Sequence, residues 1–353
     1  MSFYESLKPL IFKMSPECAH SVASTALKMA NNTPFVSEFF KNTFSFKDEI
    51  LNQDLLGLHF ENPVGLAGGF DKNGDLAYHL QSLGFGFLEY GTFTPRPQAG
   101  NPRPRLWRLK EIKSLQNAMG FNNHGSAAVE KNLRPFYPFK VPVFANIGKN
   151  KLTPNENAIN DYIYLATRFN ELCDGFVINI SSPNTPNLRA LQNDEFLEIL
   201  ANELKKLAKK PFILKLAPDM EHEAAIALCK KACELGFSAI ILNNTSVDYS
   251  LYHGAKNIGG LSGEIIKEKS REFFKAVASE LFGKTTLISC GGICSADDAL
   301  WRIKQGASLI EIYTALIFEG PSLIRKINGE LANLLRLEGF KNIKEAIGCE
   351  IKK

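Results

Sequence analysis

From residue 64 onward the chain alternates short apolar runs, rich in β-branched and aromatic residues, with longer segments of mixed polarity. The runs are Val64–Ala67, Phe85–Tyr90, Val143–Ile147, Phe176–Ile180, Phe212–Leu216, Ala239–Asn243, Thr286–Ser289 and Leu309–Tyr313. Between them apolar residues recur at helical spacing, which predicts helices over stretches such as Asp194–Leu207, Glu221–Leu235 and Ala296–Gln305. A strand followed by a helix, repeated, places the strands parallel, because a parallel pair needs a long crossover. Eight such units suit an α/β fold closed into a (β/α)8 barrel, the TIM barrel, better than an open doubly wound sheet. The link from Gly91 to Pro142 is longer than the others and rich in Pro, Arg and Asn. It predicts an excursion above the barrel mouth, partly a hairpin of Arg105–Leu109 against Ser114–Ala118.

Ahead of the barrel, Phe3, Leu7, Leu10 and Ile11 share one helical face. Ser15-Pro16 then restarts the pattern, since Ser is a good N-cap and Pro a good first helical residue. Val22, Ala26, Leu27 and Met29 follow, and Lys8, Lys13 and Lys28 lie among the apolar positions. Two short amphipathic helices are expected in an N-terminal segment, residues 1–45, with the barrel over 46–353. Periodicity alone favours a helical pair packed on the barrel, with a hairpin lying on a membrane surface as the alternative. No run of about 18 apolar residues occurs, so no transmembrane helix is expected. Glu5, Lys8, Lys13 and Glu17 interrupt any apolar core of a signal peptide.

Composition narrows the classes. The 353 residues are 45% hydrophobic and 22% charged, which argues against wholesale disorder. A net charge of +4 is too small to indicate nucleic-acid binding, although it suits an anionic ligand or membrane surface. Seven cysteines, an odd number without a secreted-type framework, predict reduced thiols. Cys229 with Cys233, and Cys290 with Cys294, lack the partners zinc or an iron–sulfur cluster would need, and no metal is expected.

In such a barrel the chemistry gathers where the strands end. Those ends read Ala67-Gly-Gly-Phe-Asp-Lys72, Glu89-Tyr-Gly-Thr92, Asn146-Ile-Gly-Lys149, Asn179-Ile-Ser-Ser-Pro-Asn184, Lys215, Asn243-Asn-Thr245, Cys290-Gly-Gly292 and Tyr313-Thr314. The rim is rich in Asn and Lys and poor in carboxylates and His. One Asn alone reads as a turn or cap residue. Asn117, Asn179, Asn184 and Asn244 together suit a planar ring of alternating carbonyl and N–H groups. Lysines suit a carboxylate or a developing anion. Gly291-Gly292 and Gly320-Pro321-Ser322 fall in the seventh and eighth units, where barrels bind phosphate. Gly259-Gly-Leu-Ser-Gly263 is expected to add backbone donors.

Five motifs sharpen this picture: Ala67-Gly-Gly-Phe-Asp-Lys72, Tyr90-Gly-Thr-Phe-Thr-Pro-Arg-Pro97, Asn117-Ala-Met-Gly-Phe-Asn-Asn123, Asn179-Ile-Ser-Ser-Pro-Asn-Thr-Pro186 and Gly259-Gly-Leu-Ser-Gly263. In this order, over nearly the whole chain, they resemble the dihydroorotate dehydrogenase family. The resemblance implies FMN in the barrel mouth and oxidation of (S)-dihydroorotate to orotate in de novo pyrimidine (UMP) biosynthesis. It implies substrate contacts from Lys72, Asn117, Ala118, Met119, Gly120, Phe121, Asn179, Asn184, Asn244 and Thr245. Implied flavin contacts are Gly68, Gly69, Phe70, Asp71, Lys72, Thr92, Asn146, Asn179, Lys215, Asn243, Gly263, Gly292, Tyr313 and Thr314. The family's cytosolic class uses Cys as base, whereas its membrane-associated, quinone-using class 2 uses Ser. Ser182 and the N-terminal extension are similar to class 2.

By the same resemblance, Ser182 takes the C5 proton as hydride leaves C6 for the flavin, and Lys215 stabilises negative charge at the flavin pyrimidine edge. A serine hydroxyl is a poor base and needs a relay, which the sequence does not show. His20 and Arg108 match positions near a quinone head group, with Tyr313 close by. A monomer is expected, held peripherally on the cytoplasmic side of the cell membrane. Asn243, Thr314 and Cys290 stand where the family usually has Thr, Ser and a small or aliphatic residue. Two other readings stay open: an FMN barrel acting on another cyclic imide, such as a dihydropyrimidine, and a non-catalytic, membrane-attached flavin-binding protein.

Overall fold

The computed structural model describes residues 3–207 and 209–351. Each of the eight apolar runs forms a strand: Val64–Leu66, Phe87–Phe93, Val143–Ile147, Gly175–Asn179, Phe212–Leu216, Ala239–Leu242, Thr286–Cys290 and Leu309–Ile312. Neighbours are parallel, and the eighth pairs with the first (Ile310 opposite Val64) to close the barrel. Strands covered on both faces must be apolar throughout, which is why they read as continuous runs. The crossover helices fall where the periodicity puts them, at Asp194–Leu207, His222–Glu234 and Ala296–Lys304. Ser295 caps the last of these, accepting from the Asp298 N–H at 3.1 Å.

Inside the barrel the lower layer is apolar. Phe87, Phe144, Val177, Ile213, Ile241, Ile288 and Leu309 pack there in one cluster. A hairpin too short to announce itself in the sequence, Gln53–Leu55 against Leu58–Phe60, closes the barrel from below. Its Phe60 ring meets Phe87 and Phe144 edge-on or tilted, at 5.8 and 6.4 Å between centroids.

The N-terminal segment holds three helices rather than the expected two: Phe3–Ile11, Pro16–Asn31 and Pro34–Phe44. Ser15 caps the second, accepting from the Cys18 N–H, with Pro16 at its first position. The segment packs part of its apolar surface on the barrel and exposes the rest. Ala19 is buried, and Leu27, Phe40 and Phe44 pack against the barrel core. Leu10, Val22, Met29, Phe35 and Phe39 instead face outward, Phe35 at 87% exposure. No helix among the described residues is long and apolar enough to cross a membrane.

The long excursion after the second strand contains the expected hairpin, Leu106–Leu109 against Ser114–Asn117. A third strand, Gly260–Gly263, pairs antiparallel with Ser114–Asn117. The Gly259–Gly263 segment is therefore mostly a strand, and pairing occupies backbone donors that had been expected to face an anion.

Candidate active site

Side chains alternate along a strand, so two residues above each inward apolar position comes another inward position. Above Phe87, Phe144, Val177, Ile213, Ile241, Ile288 and Leu309 these are Glu89, Asn146, Asn179, Lys215, Asn243, Cys290 and Glu311. One turn of the pleat thus converts a hydrocarbon plug into a polar floor. Above it lies a cavity of about 810 Å³, bounded by the strand ends, the excursion and the N-terminal helices.

This cavity gathers Gly68, Gly69, Phe70, Asp71, Lys72, Thr92, Asn117, Met119, Gly120, Phe121, Asn146, Asn179, Ser182, Asn184, Lys215, Asn243, Asn244, Thr245, Gly263, Gly292, Tyr313 and Thr314. Ala118 is the one exception among the expected contacts. It is buried behind the wall, its N–H donating to the Arg105 carbonyl and its own carbonyl accepting from Asn101. Lys149 also turns away, donating to the Thr153 carbonyl at 2.7 Å.

The loop after the fourth strand carries Ser182, only 6% exposed. Its Oγ accepts from the Asn184 N–H at 3.3 Å. Around it the amides form a connected set. Asn184 Nδ2 donates to Asn117 Oδ1 at 2.9 Å, and Asn244 Nδ2 donates to Ser181 Oγ at 3.0 Å. Asn179 Nδ2 donates to Thr92 Oγ1 and Asn146 Oδ1. Arg189 clasps the loop from outside. Its guanidinium donates to the Ser181 carbonyl (2.8 Å), the Asp219 carboxylate (2.9 Å) and the Thr245 carbonyl (2.9 Å). Asp219 in turn accepts from Ser246 Oγ and the Val247 N–H. One planar fork therefore fixes two loops that face the cavity.

Two of the lysines that line the cavity, Lys72 and Lys215, sit in contrasting surroundings. Lys72 donates to the Gly69 carbonyl. Burial, then the Arg105 charge, pulls its ammonium down to about 8. Lys215 lies on the floor and donates to Glu89 Oε2 at 2.6 Å and Glu311 Oε2 at 3.1 Å. Burial would lower Lys215, but the two carboxylates hold it above its ordinary value. Asp71 is spent on structure, since its oxygens accept from the N–H groups of Asn73, Asp75 and Leu76. Asn243 is fully buried beneath Gly291, with its amide beside the carbonyls of Asn244 and Cys290.

The outer arm of the cavity runs under the N-terminal helices. His20 Nε2 bonds the Phe70 carbonyl at 2.9 Å, and its ring lies 4.9 Å from the Phe70 ring. Burial, then Lys72, lowers His20 to about 4, so the imidazole is neutral at pH 7. Arg108 donates to the Met14 carbonyl at 2.8 Å and stacks over Phe12 at 4.7 Å. Tyr4, whose hydroxyl donates to the Ile317 carbonyl, completes this arm.

The structure qualifies two sequence expectations. The rim is poor in carboxylates, but the floor is not: Glu89 and Glu311 are both buried against Lys215. Their signal was a lone charge inside each of two apolar runs. Gly320-Pro321-Ser322 opens the helix Leu323–Leu337 as expected, but not directly at a strand end. A short helix, Thr314–Glu319, begins at the end of the eighth strand, and Gly320 lies beyond it, packed on Tyr4. The seventh strand still ends in Gly292 at positive φ (73°), where a Cβ would lie 2.5 Å from Lys267 Cα. Among the described residues no group of His, Cys, Asp and Glu is placed to hold a metal ion.

A parallel eight-stranded barrel whose polar mouth is roofed by its own N-terminal helices defines an enzyme of the (β/α)8 class. The profile of one family, Dihydroorotate dehydrogenase, matches residues 50–335. A relative from Sulfurimonas denitrificans, named "Dihydroorotate dehydrogenase (quinone)", is 53% identical over 349 residues, covering 99% of each chain. One of the same name from Nitratiruptor sp. is 50% identical with the same coverage. The crystal structure of DHODH from Eimeria tenella in complex with ferulenol superposes with a TM-score of 0.83 at 31% identity, covering 98% of this chain and 99% of that one. The chain belongs to the dihydroorotate dehydrogenase family of oxidoreductases.

Proposed function

We propose that this chain oxidises (S)-dihydroorotate to orotate in de novo pyrimidine biosynthesis, with FMN bound in the barrel mouth and a membrane quinone as final electron acceptor. The observation that carries this reading is Ser182, set in a clasped, buried loop beside a cavity lined by Lys72, Asn117, Asn184 and Asn244. Lys72 binds the substrate carboxylate. The amides read the edge of the cyclic imide, where each meets a donor or an acceptor. Ser182 takes the C5 proton.

The residues present fit FMN. At Gly68 a Cβ would lie 2.5 Å from Glu89 Oε1, so only glycine lets the chain pass close over the polar floor. Gly292 lets the chain beyond the seventh strand pass close to the Lys267 backbone. One buried cavity atom, Thr245 Oγ1, has no partner within the protein and suits a polar ligand. Gly68, Gly69, Thr92, Asn146, Asn179, Lys215, Gly263, Gly292, Tyr313 and Thr314 would hold the cofactor. When bound, FMN supplies the hydride acceptor.

Residues 1–45 form the quinone and membrane segment, and 46–353 the catalytic barrel. The outward apolar residues Leu10, Val22, Met29, Phe35 and Phe39 support peripheral contact of a monomer with the cytoplasmic face of the cell membrane. The neutral His20 and the Arg108 guanidinium face the quinone head group. Purified protein supplied anaerobically with dihydroorotate or dihydrouracil tests the substrate. Flavin bleaching by dihydroorotate is expected, and bleaching by dihydrouracil alone would contradict the reading.

A further inference from the structure

Below the rim the floor poses a problem of charge. Glu89 from the second strand and Glu311 from the eighth flank the single ammonium of Lys215 from the fifth, and both carboxyl side chains have no exposure. Two carboxylates and one ammonium would leave a full negative charge buried without compensation, a costly state in a protein interior. Cys290 of the seventh strand faces the same cluster, and Asn146 of the third donates to Glu89. Neither brings a positive charge.

The hydrogen bonds distinguish the two carboxyls. Glu89 meets donors at both oxygens: Oε1 accepts from Asn146 Nδ2, and Oε2 accepts from the Gly68 N–H (3.0 Å) and Lys215 (2.6 Å). That surrounding suits an ionised, acceptor-only carboxylate. Glu311 has one strong donor, Lys215 at Oε2, with the weakly donating Cys290 thiol nearby, and its Oε1 is buried without a partner of its own. The two carboxyls lie within hydrogen-bonding reach of each other. We infer that Glu89 and Glu311 carry one proton between them, resident on Glu311, so that the floor formed with Lys215 has no net charge. Electrostatics agree. Burial, then Glu89, drives Glu311 well above the carboxylate range, while Lys215 and the hydrogen bonds around Glu89 overcome its burial and hold it below its ordinary value. Glu311 is thus a positioning residue. A neutral floor keeps Lys215 charged and free of a second anion, ready to face negative charge that develops above it. That consequence rests on the flavin reading, whereas the shared proton does not.

The test counts charges on the folded protein as purified, by native capillary electrophoresis at pH 7.5, and so does not depend on which ligand the cavity takes. A pair sharing one negative charge should leave the Glu311→Gln variant at the wild-type mobility, because Lys215 keeps its Glu89 partner. The surface control Glu203→Gln should shift by one charge, and so should the double variant Glu89→Gln/Glu311→Gln. Glu89→Gln should melt lower than Glu311→Gln, since its amide N–H2 would face the donors of Gly68 or Asn146. A full one-charge shift for Glu311→Gln would overturn the proposal, as would greater stability of Glu89→Gln. Should the variants not fold, the infrared spectrum of the wild type at neutral pH decides: the C=O stretch of a protonated carboxylic acid is expected, and its absence refutes the shared proton.

Discussion

Arg189 does not itself line the cavity, yet its guanidinium holds the carbonyl that precedes Ser182 and that of Thr245, a predicted substrate contact. Replacing it by Met removes three hydrogen bonds and leaves Asp219 with Ser246, the Val247 N–H and Lys269. Hydrogen bonds to charged groups contribute roughly 1.5–3 kcal/mol each. The side chain is about one-quarter exposed, at 23%, so water replaces part of the loss. A net weakening of about 2–4 kcal/mol in the anchoring of the two loops follows. Displacing a reacting group by about 1 Å costs on the order of 100-fold in rate. Arg189→Met is therefore expected to slow flavin bleaching by dihydroorotate about 100-fold in anaerobic stopped flow, with a smaller effect on substrate affinity. Arg189→Lys should restore only part of the rate, because a single ammonium cannot span three acceptors. In a Ser182→Ala background the same change should add little, since the group being positioned is gone. A bleaching rate within about threefold of wild type would refute the clasp.

Ser182→Ala is expected to retain flavin and lose about 10²–10⁴-fold in the reductive half-reaction, the usual range for a general base; an unchanged half-reaction would remove Ser182 from the base role. Lys72 supplies a pH dependence whose sign is fixed. The ammonium is present below its lowered value of about 8 and is lost as pH rises through it, so kcat/KM for dihydroorotate should fall above pH 8 while flavin content stays constant; a flat profile from pH 7 to 9.5 would contradict this. Deleting Met1–Asn31 should harm quinone reduction more than flavin reduction by substrate, and equal loss in both would deny these helices the quinone role.

The barrel was legible because its strands are buried on both faces and read as apolar runs, while its helices keep a helical stripe. The third N-terminal helix was not. Phe35, Phe39, Phe40 and Phe44 divide between two faces, solvent and core, which blurs the helical period. The hairpin Gln53–Phe60 has strands of three residues, too short for alternation to register. The strand Gly260–Gly263 has glycine at both ends and only two side chains. Within the site, the rim residues were readable because a barrel puts its chemistry at strand ends. Glu89 was placed at a strand end without a partner, and the buried Glu311 was passed over as part of a strand, although a charge in an otherwise apolar run must find a buried partner. Arg189 was invisible for a different reason: its partners Ser181, Asp219 and Thr245 come from three separate loops, and only the closed barrel brings them together.

The claim that this barrel passes electrons from dihydroorotate through a flavin to a quinone is tested most directly by one sequential measurement. The purified protein is reduced anaerobically with dihydroorotate and then divided among a soluble quinone, fumarate and NAD. Bleaching on the first addition and rapid reoxidation by the quinone alone is the expected result. Failure of dihydroorotate to bleach the flavin, or reoxidation by NAD or fumarate in preference to the quinone, would contradict it.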